Sequence, residues 1–253
     1  MDATSSEVPV ANASLPVRVA SESPSRDAAA DSVWVVVPAY NEERRLSDTL
    51  GLVCQHYRHL VVVDDGSQDG TADVAARYPV WVLRHAFNCG QGAALQTGID
   101  FALHHGADCI VTFDADGQHD PGDIARLVEP VRRGTVDICL GSRFLGKAVD
   151  MPRSRWLILK LGVLTTRLLS WVRVTDTHNG LRALSREAAR RIRITQNRMA
   201  HASEILDEIR RHGLRYGEAA VSIRYTAETL AKGQSPWNAL RIVAQFLLGR
   251  ALR

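Results

Sequence analysis

The sequence predicts an α/β fold, a mainly parallel sheet flanked by helices, and three observations carry that prediction. Short apolar runs rich in β-branched residues recur from Val33 onward without the strict alternation of a half-exposed strand. Amphipathic stretches with apolar positions at helical spacing lie between them. Acidic residues gather just past the ends of three runs, and ligands of open parallel sheets bind beyond the carboxyl ends of the strands.

The strands are expected at Val33–Val37, Leu60–Val63, Val80–Leu83, Cys109–Phe113 and Val136–Leu140, joined by right-handed crossovers. The first helix is expected to start at Asn41, a good N-cap. Glu42 and Glu43 follow it and suit the positive end of a helix dipole. Leu46, Leu50 and Val53 then recur on one face. Asp69-Gly70-Thr71 reads as a tight turn capping the next helix. Past residue 145 the pattern changes to an apolar-basic segment, Pro152–Val174, followed by Asp176-Thr177-His178-Asn179-Gly180-Leu181-Arg182. A helix over Ala200–Arg211, a strand over Gly217–Ile223 and an amphipathic segment over Trp237–Leu252 complete the pattern. The first 31 residues, rich in Ala, Ser, Asp and Pro, predict a disordered tail. The expected organisation is a tail over 1–31, one folded domain over 32–235 and an amphipathic C-terminal helix over 236–253.

A chain of 253 residues with 45% hydrophobic content can bury a single-domain core. The formal net charge of +3 gives no overall signature of nucleic-acid binding. Cys54, Cys89, Cys109 and Cys139 lack paired spacing, which argues against a zinc site or a disulfide framework. The best membrane-span candidate, Trp156–Val174, is interrupted by Lys160, Arg167 and Arg173, so a peripheral rather than integral protein is expected. Arginines, lysine and tryptophans mixed with aliphatics over 153–173 suit a helix lying on an anionic membrane. The same pattern also suits a core helix or a homodimer contact.

Asp114-Ala115-Asp116 places two carboxylates one residue apart at a strand end, and Gly117 lets the chain turn so that both approach one ligand. Hard cations such as Mg2+ or Mn2+ take one or two carboxylates, with substrate phosphates completing the shell. Asp64 ends its own strand, where a carboxylate accepts hydrogen bonds from a nucleobase imide or a ribose hydroxyl. Asn88-Cys89-Gly90-Gln91-Gly92 begins like a dinucleotide fingerprint, but Leu95 stands where its third glycine belongs.

Val35-Val36-Val37-Pro38-Ala39-Tyr40-Asn41-Glu42-Glu43, Val62-Val63-Asp64-Asp65-Gly66-Ser67, Phe113-Asp114-Ala115-Asp116-Gly117-Gln118-His119 and Gly141-Ser142-Arg143-Phe144 occur in an order and spacing that resemble family 2 glycosyltransferases. Within that family the likeness is greatest to polyprenyl-phosphate sugar transferases, and it covers about residues 33–235. The resemblance implies a GT-A fold in which Pro38, Ala39, Tyr40, Glu42 and Asp64 hold base and ribose. It implies that Asp114 and Asp116, with Gln118, organise the metal and diphosphate beside Ala115, and that Arg143 meets a phosphate. Asp176 would orient the acceptor, Glu204 would lie near the sugar, and Lys232, in Lys232-Gly233-Gln234-Ser235, would close over donor phosphates. Arg182 is expected to be structural.

The implied activity is inverting transfer of a hexose, mannose or glucose, from a GDP- or UDP-linked donor to a polyprenyl phosphate. Its implied place is the cytoplasmic face of the membrane. A phosphate acceptor needs no strong base, whereas a saccharide hydroxyl requires one, with Glu204 or Asp176 the carboxylates at hand. A non-catalytic nucleotide-sugar-binding domain is the alternative outside enzymology.

Overall fold

The computed structural model describes residues 33–149, 151–152, 156, 159–160, 163, 172–196 and 200–225. The expected N-terminal tail, the C-terminal helix, Lys232 and most of the 153–173 segment lie outside the described residues.

Five strands and four helices alternate through the first half: β1 (Val33–Ala39), α1 (Glu43–Val53), β2 (His59–Asp64), α2 (Thr71–Ala75), β3 (Trp81–Arg84), α3 (Gln91–His104), β4 (Cys109–Thr112), α4 (Ile124–Arg132) and β5 (Ile138–Val149). The second half adds β6 (Arg182–Ser185), α5 (Arg186–Arg191), α6 (Ala200–Arg211) and β7 (Tyr216–Arg224). The seven strands are ordered β3-β2-β1-β4-β6-β5-β7. β6 runs antiparallel to both its neighbours, and the remaining pairings are parallel. β6, which interrupts the parallel order, lies where no strand is expected from the sequence.

Every residue of β1 is buried, because helices cover both faces of the sheet. Val35 and Val37 point into one apolar layer with Leu46, Leu50 and Val53 of α1 and Leu127 of α4. Trp34 and Val36 point into the other, against Leu95 and Ile99 of α3 and Ile205 and Ile209 of α6. Burying each such side chain stabilises the fold by roughly 1.5–3 kcal/mol. The strand order reverses between β1 and β4, and the polar segments beyond their carboxyl ends meet there.

Asn41 does not cap α1. It adopts a left-handed φ of 53°, and Glu42 takes the N-cap position without a side-chain cap bond. Asparagine tolerates this region better than most residues, and here it turns the chain sharply out of β1. Its N–H donates to Ser67 Oγ (2.9 Å), and its Oδ1 accepts from Gln68 N (2.9 Å). Glu42 N donates to Thr71 Oγ1 (2.9 Å), so the turns after β1 and β2 are stitched together. Asp69 accepts from Thr71 N (3.0 Å), as the structural reading of Asp69-Gly70-Thr71 requires.

Candidate functional site

A cleft of about 490 Å³ opens at the reversal point. Pro38, Ala39, Tyr40 and Glu42 form one wall, Asp114, Ala115, Asp116, Gln118 and His119 the floor, and Arg143, His178, Arg182 and His201 the far side. Pro38 and Ala39 end β1, Tyr40 and Glu42 follow in its turn, and the floor continues from β4. The sheet thus brings together residues that are more than 160 positions apart in the chain.

Asp114 is held from three directions. Gln91 Nε2, at the start of α3, donates to its Oδ1 (3.1 Å). His119 Nε2 lies 3.3 Å from its Oδ2. Gly180 packs so closely that a Cβ there would lie 1.9 Å from Oδ2. Burial works to raise the Asp114 pKa, but the bond from His119 and the charges of His119, Arg182 and His201 outweigh it and hold the carboxyl below its usual range. Asp116 differs: burial first, then the Asp114 charge, push it up to about 6. Its Oδ1 accepts from Gln118 N (3.1 Å) across the turn at Gly117, whose φ is +72°. This turn is pinned to β7, where Arg224 N donates to Gln118 O (3.0 Å).

Two half-buried carboxylates that repel one another, with a side-chain amide and open space beside them, form a hard-oxygen donor set. The residues therefore fit a divalent cation of the Mg2+ or Mn2+ type, with Asp114, Asp116 and Gln118 as its candidate holders. Among the described residues, Asp65, His85 and Cys89 also bring three potential ligand atoms within 4.8 Å of one another. Their chemistry is already spent: Asp65 accepts from His85 Nδ1 (2.8 Å), Cys89 N (2.9 Å) and Gly90 N (2.7 Å), and His85 Nε2 meets Thr97 Oγ1 (3.0 Å).

Asp64, expected to meet base or ribose, is not among the cleft-lining residues. Asp64 is wholly buried, accepts from Ser67 N (3.0 Å) and pairs with Arg84 Nε (3.2 Å). Its neighbour Asp65 lines the cleft and ties down the turn that starts α3. Successive side chains at a strand end leave on opposite faces, so only one of the pair reaches the ligand side.

Arg143 lines the cleft but is nearly all buried. Its Nε donates to Asp176 Oδ2 (2.6 Å), Nη1 to Tyr225 OH (2.7 Å) and Nη2 to His178 O (2.7 Å). Three of its five N–H donors are thereby occupied, leaving two for a ligand. Asp176, expected to orient an acceptor, instead holds Arg143 from behind: its Oδ2 also accepts from Arg143 N (3.1 Å). Glu204, expected beside the sugar, caps a turn instead. It accepts from Thr195 N (2.9 Å) and Gln196 N (2.8 Å), because those amides lack partners in the chain leading into α6. Neither carboxylate is among the cleft-lining residues.

His178, Arg182 and His201 line the cleft without having been singled out as ligand contacts. Burial lowers the His178 pKa, and the charges of Arg143 and Arg182 add to that effect. Arg182 had been expected to be structural. It is deeply buried with Nη1 unpartnered, and Asp114 and Asp176 are the charges that act on it.

Comparison with known proteins agrees with this architecture. Residues 34–193 match the glycosyl transferase family 2 domain, and the chain belongs to that family. A UDP-N-acetylglucosamine–dolichyl-phosphate N-acetylglucosaminyltransferase of Methanococcus voltae is 30% identical over 239 residues, covering 85% of this chain and 95% of the relative. An undecaprenyl-phosphate mannosyltransferase of Micrococcus luteus is 38% identical over 169 residues, 63% of this chain and 69% of the relative. Among solved structures, the glucosyl-3-phosphoglycerate synthase of Mycobacterium tuberculosis with Mn2+, UDP-glucose and phosphoglyceric acid superposes with a TM-score of 0.64. It is 19% identical, over 86% of this chain and 79% of that one. The fold is the GT-A fold that the sequence predicts.

Proposed function

We propose that this chain moves a hexose from a nucleoside diphosphate donor to a polyprenyl phosphate, with inversion at C1, using Mg2+ or Mn2+. The observation that carries the reading is the placement of Asp114, Asp116 and Arg143 around one cleft, while both candidate bases are engaged elsewhere. A hydroxyl acceptor needs a carboxylate to take its proton. A phosphate monoester arrives largely ionised near neutral pH and needs none. The relatives named for dolichyl-phosphate and undecaprenyl-phosphate transfer support the same acceptor class.

In this reading the acceptor phosphate oxygen attacks C1 as the bond from C1 to the donor's β-phosphate oxygen breaks on the opposite side. A bound divalent cation supplies neutralising charge for the departing diphosphate. Pro38, Ala39, Tyr40 and Glu42 hold the nucleoside end against the β1 wall. Arg143 offers its two remaining N–H groups to a phosphate, and its fixed ion pair keeps it aimed before substrate arrives. A prepaid alignment of this kind contributes on the order of 7–11 kcal/mol to lowering a barrier, so positioning dominates the chemistry. Lys232, by its place in the sequence, is the remaining candidate for a donor-phosphate contact.

β5 leads from Arg143 to exposed apolar residues. Leu145 and Val149 are 51% and 43% exposed, and Trp156 is 47% exposed. Lys160 Nζ sits 4.1 Å from the Phe144 ring centroid in the same region. Apolar side chains beside lysines suit a bilayer carrying anionic headgroups, and they support peripheral membrane contact at the acceptor side. Among the described residues no helix is long and apolar enough to cross a membrane.

The direct test incubates purified protein with Mn2+ or Mg2+, a panel of GDP- and UDP-hexoses and a short polyprenyl phosphate, with lipid-linked sugar detected by mass spectrometry. A hexosyl phospholipid whose formation stops with EDTA is the expected result. Transfer only to saccharide hydroxyls, or EDTA-insensitive transfer, refutes the reading.

A further inference from the structure

The segment leading into β6 is shaped around one carboxylate. β6 pairs antiparallel with β4, and its last rung joins Thr112 to Arg182. Continuing that register two residues beyond the ladder sets Gly180 opposite Asp114. The chain is fixed there by Thr112 Oγ1, which donates to Gly180 O (2.6 Å). A Cβ on Gly180 would stand 1.9 Å from Asp114 Oδ2 and 2.4 Å from both Cγ and Oδ1. Such approaches are far inside van der Waals contact. The Asp114 carboxylate therefore fills the space that any other residue at 180 would need.

Asp114 has little freedom to yield. Gln91 holds Oδ1 and His119 faces Oδ2. Arg182, two residues beyond Gly180 and so on the same face of the segment, contributes a buried positive charge. The φ of Gly180 is not in the left-handed region, unlike that of Gly117, so the demand for glycine here is one of space.

We propose that Gly180 is a positioning residue for the cation site: by lacking a side chain it seats the Asp114 carboxylate where it faces the cleft. This rests on the proposed metal-dependent function, because the seat matters through what Asp114 holds. Any side chain at 180 displaces the carboxylate, and the cation site loses a ligand before substrate is involved.

The test is a double-mutant cycle with two readouts, using the full chain and Mn2+ alone as the probe. Gly180→Ala, Asp114→Ala and the double variant are compared by thermal melting and by electron paramagnetic resonance titration of free Mn2+. Gly180→Ala is expected to weaken Mn2+ binding at least tenfold and to lower the melting temperature in the wild-type background. In the Asp114→Ala background the same substitution meets vacated space and is expected to cost little. Where Gly180→Ala alone fails to accumulate, recovery of folded protein in the double variant is the supporting outcome, and failure of both overturns the proposal. Equal melting losses in both backgrounds, or Mn2+ affinity unchanged by Gly180→Ala, also overturn it. The metal reading is separated by the Asp114→Ala single variant: Mn2+ binding that survives it refutes a cation at Asp114, whatever the melting data show.

Discussion

Replacing Asp116 with Asn is expected to stabilise the cation-free protein while abolishing its activity. Asn keeps the shape of Asp and an Oδ1 able to accept from Gln118 N, so the turn at Gly117 survives. What changes is the charge. In the unfolded chain the Asp116 proton leaves near its ordinary value of 3.8, and in the folded protein near 6, because burial and then Asp114 disfavour the anion. Between those pH values the folded state holds the extra proton. Stability contributed below the lower value is therefore lost as pH rises through the upper one. The gap corresponds to about 3 kcal/mol, which solvent in the open cleft reduces to roughly 1–2 kcal/mol. At pH 8 with EDTA, urea denaturation should show Asp116→Asn more stable than wild type by that amount, and the advantage should vanish near pH 4. Adding Mn2+ at a hundred times its dissociation constant should return about 2.7 kcal/mol to the wild type and much less to the variant. A variant no more stable than wild type at pH 8 would refute the claim that the site stores carboxylate repulsion for a cation to relieve.

Glu204→Gln should leave turnover within a few fold and cost about 1–3 kcal/mol in urea unfolding, since one oxygen can go on serving the Thr195 and Gln196 amides but the oxygen that accepts from Thr195 Oγ1 is lost. Loss of turnover without loss of stability would restore Glu204 as a base. Arg143→Lys should lower kcat/KM by about a hundredfold to a thousandfold, because an ammonium cannot span Asp176, Tyr225 and His178 while still meeting a phosphate. Steady-state kinetics with intact melting would confirm it, and near-normal kcat/KM would refute it. Leu145→Glu should weaken co-sedimentation with anionic vesicles while leaving the fold intact, as judged by circular dichroism. Unchanged sedimentation would remove that residue from the membrane face.

The sheet was legible in the sequence because burial on both faces writes itself as unbroken apolar runs, and the first four strands stand within two residues of expectation, whereas β5 runs on to Val149, well past its expected end at Leu140. The Asp114–Asp116 pair was legible too, since a short acidic turn after a buried strand is a local feature. What was not legible depended on partners distant in the chain. Whether Asp64 or Asp65 faces the ligand is decided by strand pleating and by the 89–90 amides, more than twenty residues away. Asp176 and Glu204 looked free because backbone N–H groups and a buried guanidinium leave no mark in composition. β6 escaped notice because Arg182-Ala183-Leu184-Ser185 has neither β-branched residues nor a long run, and the ladders on both sides impose its strand form. The spatial demand on Gly180 needs coordinates, because the Asp114 carboxylate that fills its side-chain space lies 66 positions away in the chain.

Arg143 shows why the far side of the cleft is built from charges that contribute little to stability. Glu218 on β7 accepts from Thr175 N (2.8 Å) and Thr175 Oγ1 (2.8 Å), which fixes the loop carrying Asp176. Asp176 in turn fixes Arg143. Each step buries charge at a desolvation cost that its ion pair roughly offsets, and an apolar replacement of the set would fold at least as well. The arrangement nevertheless leaves one guanidinium at a cleft wall with two of its five donors left over and little rotamer freedom to lose on meeting a phosphate. On the floor, burial and then the Asp114 charge disfavour the Asp116 anion, which a cation would relieve. A cleft with a rigid cation on one wall and an acidic pair on its floor is organised to receive anionic groups of both kinds, bare on one side and metal-bound on the other. Transfer between two phosphates needs that arrangement, and proton abstraction from a hydroxyl does not.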